Sequence, residues 1–149
     1  MSDAVTFRTV AVFGAGTMGS GIAQICSQAG SEVRLYDIRE DIVQAGMEKI
    51  RAFLDKGVAR GKSSEEEADQ VYDRISAHAD LASAVGGADL VVEAIPEILD
   101  LKRDVFQKIA ALVSESSVLA TNTSSLSVAG IFEGIENPAR CIGTHFFNP

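Results

Sequence analysis

The chain has 149 residues, 46% of them hydrophobic and 23% charged, with a mean hydropathy of +0.15, which fits one ordered domain with a single core and excludes a disordered chain. A formal net charge of -8 means that a nucleic acid or an anionic membrane would need a local basic patch against an unfavourable background, so neither is expected as a partner. Cys26 and Cys141 stand far apart with no CxxC and no cluster of ligands around them, predicting two buried free thiols in a reducing, cytoplasmic setting and no metal site.

The opening MSDAVTFRTV has no basic stretch followed by an apolar run, so no secretory leader is expected. Thr9 to Ser31 is uncharged, yet Gly14, Gly16, Gly19, Gly21 and Gly30 interrupt it, and Gln24, Ser27 and Gln28 lie within it. That composition argues for protein core rather than a membrane span. Short β-branched runs predict strands at 9–15, 32–38, 75–81, 89–95, 117–123 and 141–147. Helical spacing predicts helices at 17–30, about 39–60, 64–74 and 98–114, the last with Leu101, Val105, Ile109 and Leu112 along one face. Ser64 followed by Glu67 forms a capping box, which starts a new helix and predicts a helix-turn-helix between the second and third strands. Near-continuous apolar strands separated by helices give an α/β fold, a doubly wound, mainly parallel Rossmann sheet carrying that insertion.

The strongest local motif is VAVFGAGTMGSGIA, an apolar strand running into Gly14, Ala15, Gly16, Thr17, Met18 and Gly19 and then into an apolar helix. In this geometry Gly14 makes the tight turn, Gly16 admits a pyrophosphate to the backbone and Gly19 lets helix and sheet approach closely. A lone GxGxxG is weak, but here a second strand ends at Asp37, 18 residues beyond Gly19, placed to accept from a ribose hydroxyl. An acid there favours NAD over NADP, while Arg39 keeps NADP open.

Ligands of open α/β sheets bind at the carboxyl ends of the strands, which draws attention to EAIPE after the fourth strand, TNTSSLS after the fifth and HFFNP after the sixth. Each also has a plain reading. Pro96-Glu97 opens a helix, Asn122 to Ser127 supplies turn chemistry and an N-cap, and His145 is a core histidine. Their convergence with the glycine motif over one set of strand ends favours a site.

With GAGTMGSGIA, DLVVEAIPE, TNTSSLS and GTHFFNP in that order, the chain resembles the NAD-binding domain of the 3-hydroxyacyl-CoA dehydrogenase family over essentially its whole length, bacterial 3-hydroxybutyryl-CoA dehydrogenases above all. The resemblance implies oxidation of a 3-hydroxyacyl-CoA, a short-chain one, to a 3-ketoacyl-CoA with NAD accepting the hydride. It implies that His145 is the base and that Ser124 bonds the substrate oxygen, with Glu97, Lys102 and Asn148 as cofactor contacts. It also implies an acidic partner for His145 and a helical substrate and dimerisation domain beyond residue 149, so that residues 1–149 bind NAD but turn over poorly alone.

Residues 49–62, KIRAFLDKGVARGK, hold Lys49, Arg51, Lys56, Arg60 and Lys62 against one acid, Asp55, a local charge of +4. The resemblance places a CoA-binding lysine in this region, with Lys56 as the candidate; a solvated helix balanced by the following EEEAD is the equal alternative. A non-catalytic NAD-binding module of the same fold, or a dehydrogenase for a hydroxy acid without CoA, remains compatible with these residues.

Overall fold

The computed structural model describes residues 6–146. Six strands, β1 (Thr9–Phe13), β2 (Glu32–Tyr36), β3 (Ile75–His78), β4 (Leu90–Glu93), β5 (Val118–Thr121) and β6 (Cys141–Gly143), form one sheet in the order β3-β2-β1-β4-β5-β6. Every neighbouring pair is parallel. The chain order reverses direction between β1 and β4, which share the register Val10↔Leu90 to Phe13↔Glu93, and an open parallel sheet binds ligands in the crevice above such a switch.

Because side chains alternate along a strand, the sheet feeds two cores. Val10, Val12, Val33, Leu35, Val92 and Ala120 face one side, with Ile22 and Ala23 of α1 (Thr17–Gln28) and Val43, Met47, Ile50 and Leu54 of α2 (Glu40–Ala59). Ala11, Phe13, Val91 and Leu119 face the other, against Phe106 and Ile109 of α5 (Leu99–Ala110) and Ile131 of α6 (Val128–Ile131). The helix-turn-helix is α2 followed by α3 (Glu65–Asp73), joined through Gly61 at φ +70°. The capping box is present in both directions, with Glu67 N–H donating to Ser64 Oγ at 3.1 Å and Ser64 N–H to Glu67 Oε2 at 2.8 Å. No helix among the described residues is long and apolar enough to cross a membrane.

Several expectations shift. The buried face of α5 is Lys102, Phe106 and Ile109; of the predicted stripe Ile109 is buried and Val105 half-buried, while Leu101 is exposed and so is Leu112, which lies beyond the helix end. The helix is turned so that Phe106 meets Phe132, ring centroids 4.6 Å apart, and so that Lys102 can bury its ammonium. Periodicity of apolar residues passes over a lysine by construction. Two short helices, α4 (Leu81–Val85) and α6, escape periodicity altogether; each is marked by its N-cap, Asp80 accepting from Ser83 N–H and Ser127 from Gly130 N–H. All strands are shorter than their apolar runs, and β6 stops at Gly143 rather than continuing to 147, the final residues of that run lying partly outside the described chain. Cys26 and Cys141 are free but only half-buried.

The glycine motif yields a test of the packing. A Cβ on Gly19 would sit 1.5 Å from the Gly14 carbonyl oxygen, whereas one on Gly16 meets nothing within 4 Å. Gly19→Ala should therefore destabilise the fold by at least about 3 kcal/mol. Gly16→Ala should cost less than about 1 kcal/mol, mainly through the helix cap it forms. Urea unfolding of both variants checks the contrast.

Candidate functional site

The glycine loop is built by three backbone approaches. Gly14 takes φ +92°, reserved for a residue without a side chain, and its N–H donates to the Tyr36 carbonyl at 2.9 Å. A Cβ there would also lie 2.5 Å from the Ala94 oxygen, so β1 and β4 close on each other just beyond their paired residues. Gly16 caps α1 without a side chain, and with no side chain overhead the first turn of the helix faces open space. Ser20 Oγ donates to the Gly16 carbonyl at 2.7 Å and to the Ala15 carbonyl at 3.1 Å, tying the loop to the helix below it.

Asp37 stands at the end of β2 with both oxygens engaged. Oδ2 accepts from Ala15 N–H at 3.1 Å and Oδ1 from Arg39 N–H at 3.2 Å. The carboxylate is thus held against the glycine loop, 22 residues away in sequence, at the position sequence reasoning assigned to it. Arg39 folds its guanidinium onto Asp41, donating from Nε at 3.1 Å and from a terminal nitrogen at 2.6 Å.

Across the switch point lies a chain of charges. Glu93, the last residue of β4, is fully buried, and so is Lys102 of α5. Lys102 Nζ donates to Glu93 Oε2 at 2.7 Å and lies 3.2 Å from Glu97 Oε1. The other demands of Glu93 are met by Ile95 N–H at 2.8 Å and Thr121 Oγ1–H at 2.6 Å. Glu97 passes the chain outward, accepting from Thr123 Oγ1–H at 2.7 Å, Ser124 N–H at 3.0 Å and Ser124 Oγ–H at 2.9 Å. Burial opposes ionisation of Glu97, yet these bonds and the Lys102 ammonium outweigh it and pull the carboxyl down to about 2.

A cavity of about 340 Å³ opens above this chain, lined by Met18, Glu97, Lys102, Asn122, Ser124 and His145 among others. The structure therefore brings Ser124, His145, Glu97 and Lys102 to one opening, with Met18 of the glycine loop at its edge. His145 follows β6 on an exposed stretch, rather than in the core, which the chain enters only through half-buried Phe146. Phe146 N–H donates to Asn122 Oδ1 at 2.9 Å, so the turn after β5 fixes the segment that carries His145. Glu93 and Asn122 lie in the EAIPE and TNTSSLS stretches that the sequence marks out, although neither is among the residues expected to touch cofactor or substrate. A carboxylate closing an otherwise apolar strand was the signal for Glu93, since a buried acid demands a cation.

Lys56 is exposed in the last turn of α2 and lines neither this cavity nor the groove beside it. That groove, about 330 Å³, runs between α1 and α2 and is lined instead by Lys49, with Phe53, Ile25 and Phe146. Lys49 is seven residues earlier on the same helix, so the basic residue of this segment that borders the groove is not the one expected from sequence. Asn148 lies outside the described residues.

Two outcomes follow from the charge chain. Lys102→Met strands Glu93 without its cation and should cost about 3–5 kcal/mol in urea unfolding. For Glu97 the folded pKa is depressed from 4.5 to about 2, so its contribution is full above the unfolded value and disappears as pH falls towards 2. The stability difference between the unsubstituted chain and Glu97→Gln should then be largest near neutral pH and narrow below about pH 4.5. With the carboxylate a third exposed, solvent screening keeps that difference small.

The family model for the 3-hydroxyacyl-CoA dehydrogenase NAD-binding domain matches residues 9–149. A 3-hydroxyadipyl-CoA dehydrogenase of Escherichia coli is 40% identical over 145 residues, covering 97% of this chain and 30% of that protein. A probable 3-hydroxybutyryl-CoA dehydrogenase of Bacillus subtilis is 39% identical, covering 95% of this chain and 49% of the relative. The crystal structure of a 3-hydroxybutyryl-CoA dehydrogenase from Escherichia coli superposes with a TM-score of 0.93 at 39% identity, over 97% of this chain and 30% of that one. The chain thus spans half or less of the length of these relatives. On the sequence match and the shared architecture together, the chain belongs to the NAD-binding domain family of the 3-hydroxyacyl-CoA dehydrogenases.

Proposed function

We propose that this chain is the nucleotide-binding part of an NAD-dependent dehydrogenase that oxidises a short-chain 3-hydroxyacyl-CoA to the 3-ketoacyl-CoA. The observation that carries the reading is the meeting of Ser124, Glu97, Lys102 and His145 at one cavity beside the glycine loop. The residues present fit NAD. Gly16 leaves the start of α1 uncovered for a pyrophosphate, Asp37 offers a carboxylate beside the loop to a ribose, and the cavity continues past Met18 towards His145. When bound, NAD supplies the acceptor for the hydride leaving C3.

The protein's own part is to hold the alcohol and take its proton. The His145 imidazole takes the proton of the 3-hydroxyl as the hydride leaves. The single proton of the 3-hydroxyl goes to His145, so Ser124 steers the substrate oxygen by turning its own hydroxyl proton from Glu97 towards it. Glu97 and Lys102 hold Ser124 and border the space for the cofactor. Asn148 completes the cofactor contacts in this reading. Acyl-CoA as substrate fits the names of the relatives and the basic residues along α2, of which Lys49 borders a groove and Lys56 lies about two turns further along the helix. A helical domain beyond this span, which would also carry a homodimer interface, supplies the remainder of the acyl pocket, and two free cysteines suit a cytoplasmic location.

The purified chain should bind NADH, followed by the rise in nicotinamide fluorescence, and Gly16→Ala should weaken this at least about tenfold with little loss of stability. His145→Gln should leave NADH binding intact and lower acetoacetyl-CoA-dependent oxidation of NADH by about 10²–10⁴. Turnover by the span alone should be slow beside that of a full-length relative; an undiminished rate in His145→Gln would sink the assignment of the base.

A further inference from the structure

Arg39 lies two residues beyond Asp37, where an arginine can accept the 2′-phosphate that distinguishes NADP from NAD. From sequence it leaves the choice of cofactor open. In the structure its guanidinium is bound through two nitrogens to both carboxylate oxygens of Asp41, at 3.1 and 2.6 Å. We propose that Asp41 is a specificity-determining residue, which withholds Arg39 from a 2′-phosphate and so keeps the site selective for NAD. The inference rests on the reading of the glycine loop and Asp37 as the nucleotide site.

Three features of the same turn support it. The pairing is bidentate, the geometry in which a guanidinium would otherwise grip a phosphate, so carboxylate and phosphate compete for one set of donors. The start of α2, whose dipole would favour an added anion, is already furnished with Glu40 and Asp41 in its first turn. Asp37, Arg39, Glu40 and Asp41 together sum to a formal charge of -2 facing a phosphate that is itself doubly charged. The backbone enforces the arrangement. Arg39 N–H is tied to Asp37, and the Arg39 carbonyl accepts from Ile42 and Val43 N–H at the start of α2, so the backbone that carries Arg39 is fixed beside Asp41.

The test compares NADH and NADPH binding by nicotinamide fluorescence at low ionic strength, in the unsubstituted chain and in Asp41→Asn, Arg39→Ala and the double variant. Asp41→Asn keeps the shape of the side chain and removes the charge. The ratio of the NADPH to the NADH dissociation constant should fall about fivefold in Asp41→Asn, the scale set by an exposed ion pair. It should stay within about twofold of its starting value in Arg39→Ala, because that arginine is already engaged. In the double variant the gain should vanish. An unchanged ratio in Asp41→Asn overturns the proposal. A gain that persists without Arg39 also overturns it, since simple repulsion by Asp41 would then suffice. Circular dichroism of each variant separates these results from unfolding. Failure of the unsubstituted chain to bind NADH overturns the nucleotide reading and this inference together.

Discussion

The buried ion pair between Glu93 and Lys102 is the constraint around which the upper edge of this sheet is organised. Two opposite charges removed from water carry a desolvation cost that their attraction offsets only when every remaining donor and acceptor is matched. Here the match is made by Thr121 of β5, 28 residues from Glu93, together with two local groups, the Ile95 amide in the turn after β4 and Glu97 as a second acceptor for the lysine. Satisfying the pair therefore fixes the ends of β4 and β5 and the rotation of α5 together. It also sets where Glu97 points, and through Glu97 where the Ser124 hydroxyl and amide sit. A site residue on a loop gains its placement from a charge that never reaches solvent.

The glycine loop meets the same edge from the other side. Gly14 leaves no room for a side chain because the Ala94 carbonyl is there, and Ala94 N–H in turn donates to the Phe13 carbonyl at 2.7 Å. The first residue after β4 is thus shared by the two halves of the site, one built on backbone contacts and the other on the ion pair. Between the close approach at one side and the charges at the other lies the cavity lined by Met18, Ala94, Glu97 and Lys102.

Much of this was legible in advance where one residue type has one physical use. The capping box, the tight turn at Gly14 and the alternation of apolar strands with helices are of this kind, and the structure has each where local chemistry puts it. The orientation of α5 was not. A count of apolar spacing favours Leu101 and Leu112 and cannot know that a lysine is the residue to be buried, because the reason lies nine residues earlier in Glu93. For α4 and α6 the difficulty is length: five and four residues do not complete enough turns to show a period, and only their caps speak for them. His145 is a third case. Its histidine could be seen but not its exposure, which follows from β6 ending after three residues.

The basic segment shows why charge read along a chain differs from charge in space. By sequence, residues 49–62 carry +4, but Arg51 is paired with Asp55 at 2.8 Å and with Asp69 at 2.6 Å, and its guanidinium lies 5.6 Å from the Tyr72 ring centre. Asp69 and Tyr72 belong to α3, which folds back along α2, so the insertion neutralises part of the patch that precedes it. What is left unequal is the placement: Lys49 borders an apolar groove containing Phe53 and Ile25, both more than half exposed, while Lys56 stands in solvent away from that groove. An ammonium beside exposed apolar surface has a low-dielectric neighbour on one side, which strengthens its attraction for an anion relative to an isolated surface lysine. Of the lysines in this segment, Lys49 is the one that borders this groove, whereas Lys56, singled out by position along the helix, does not.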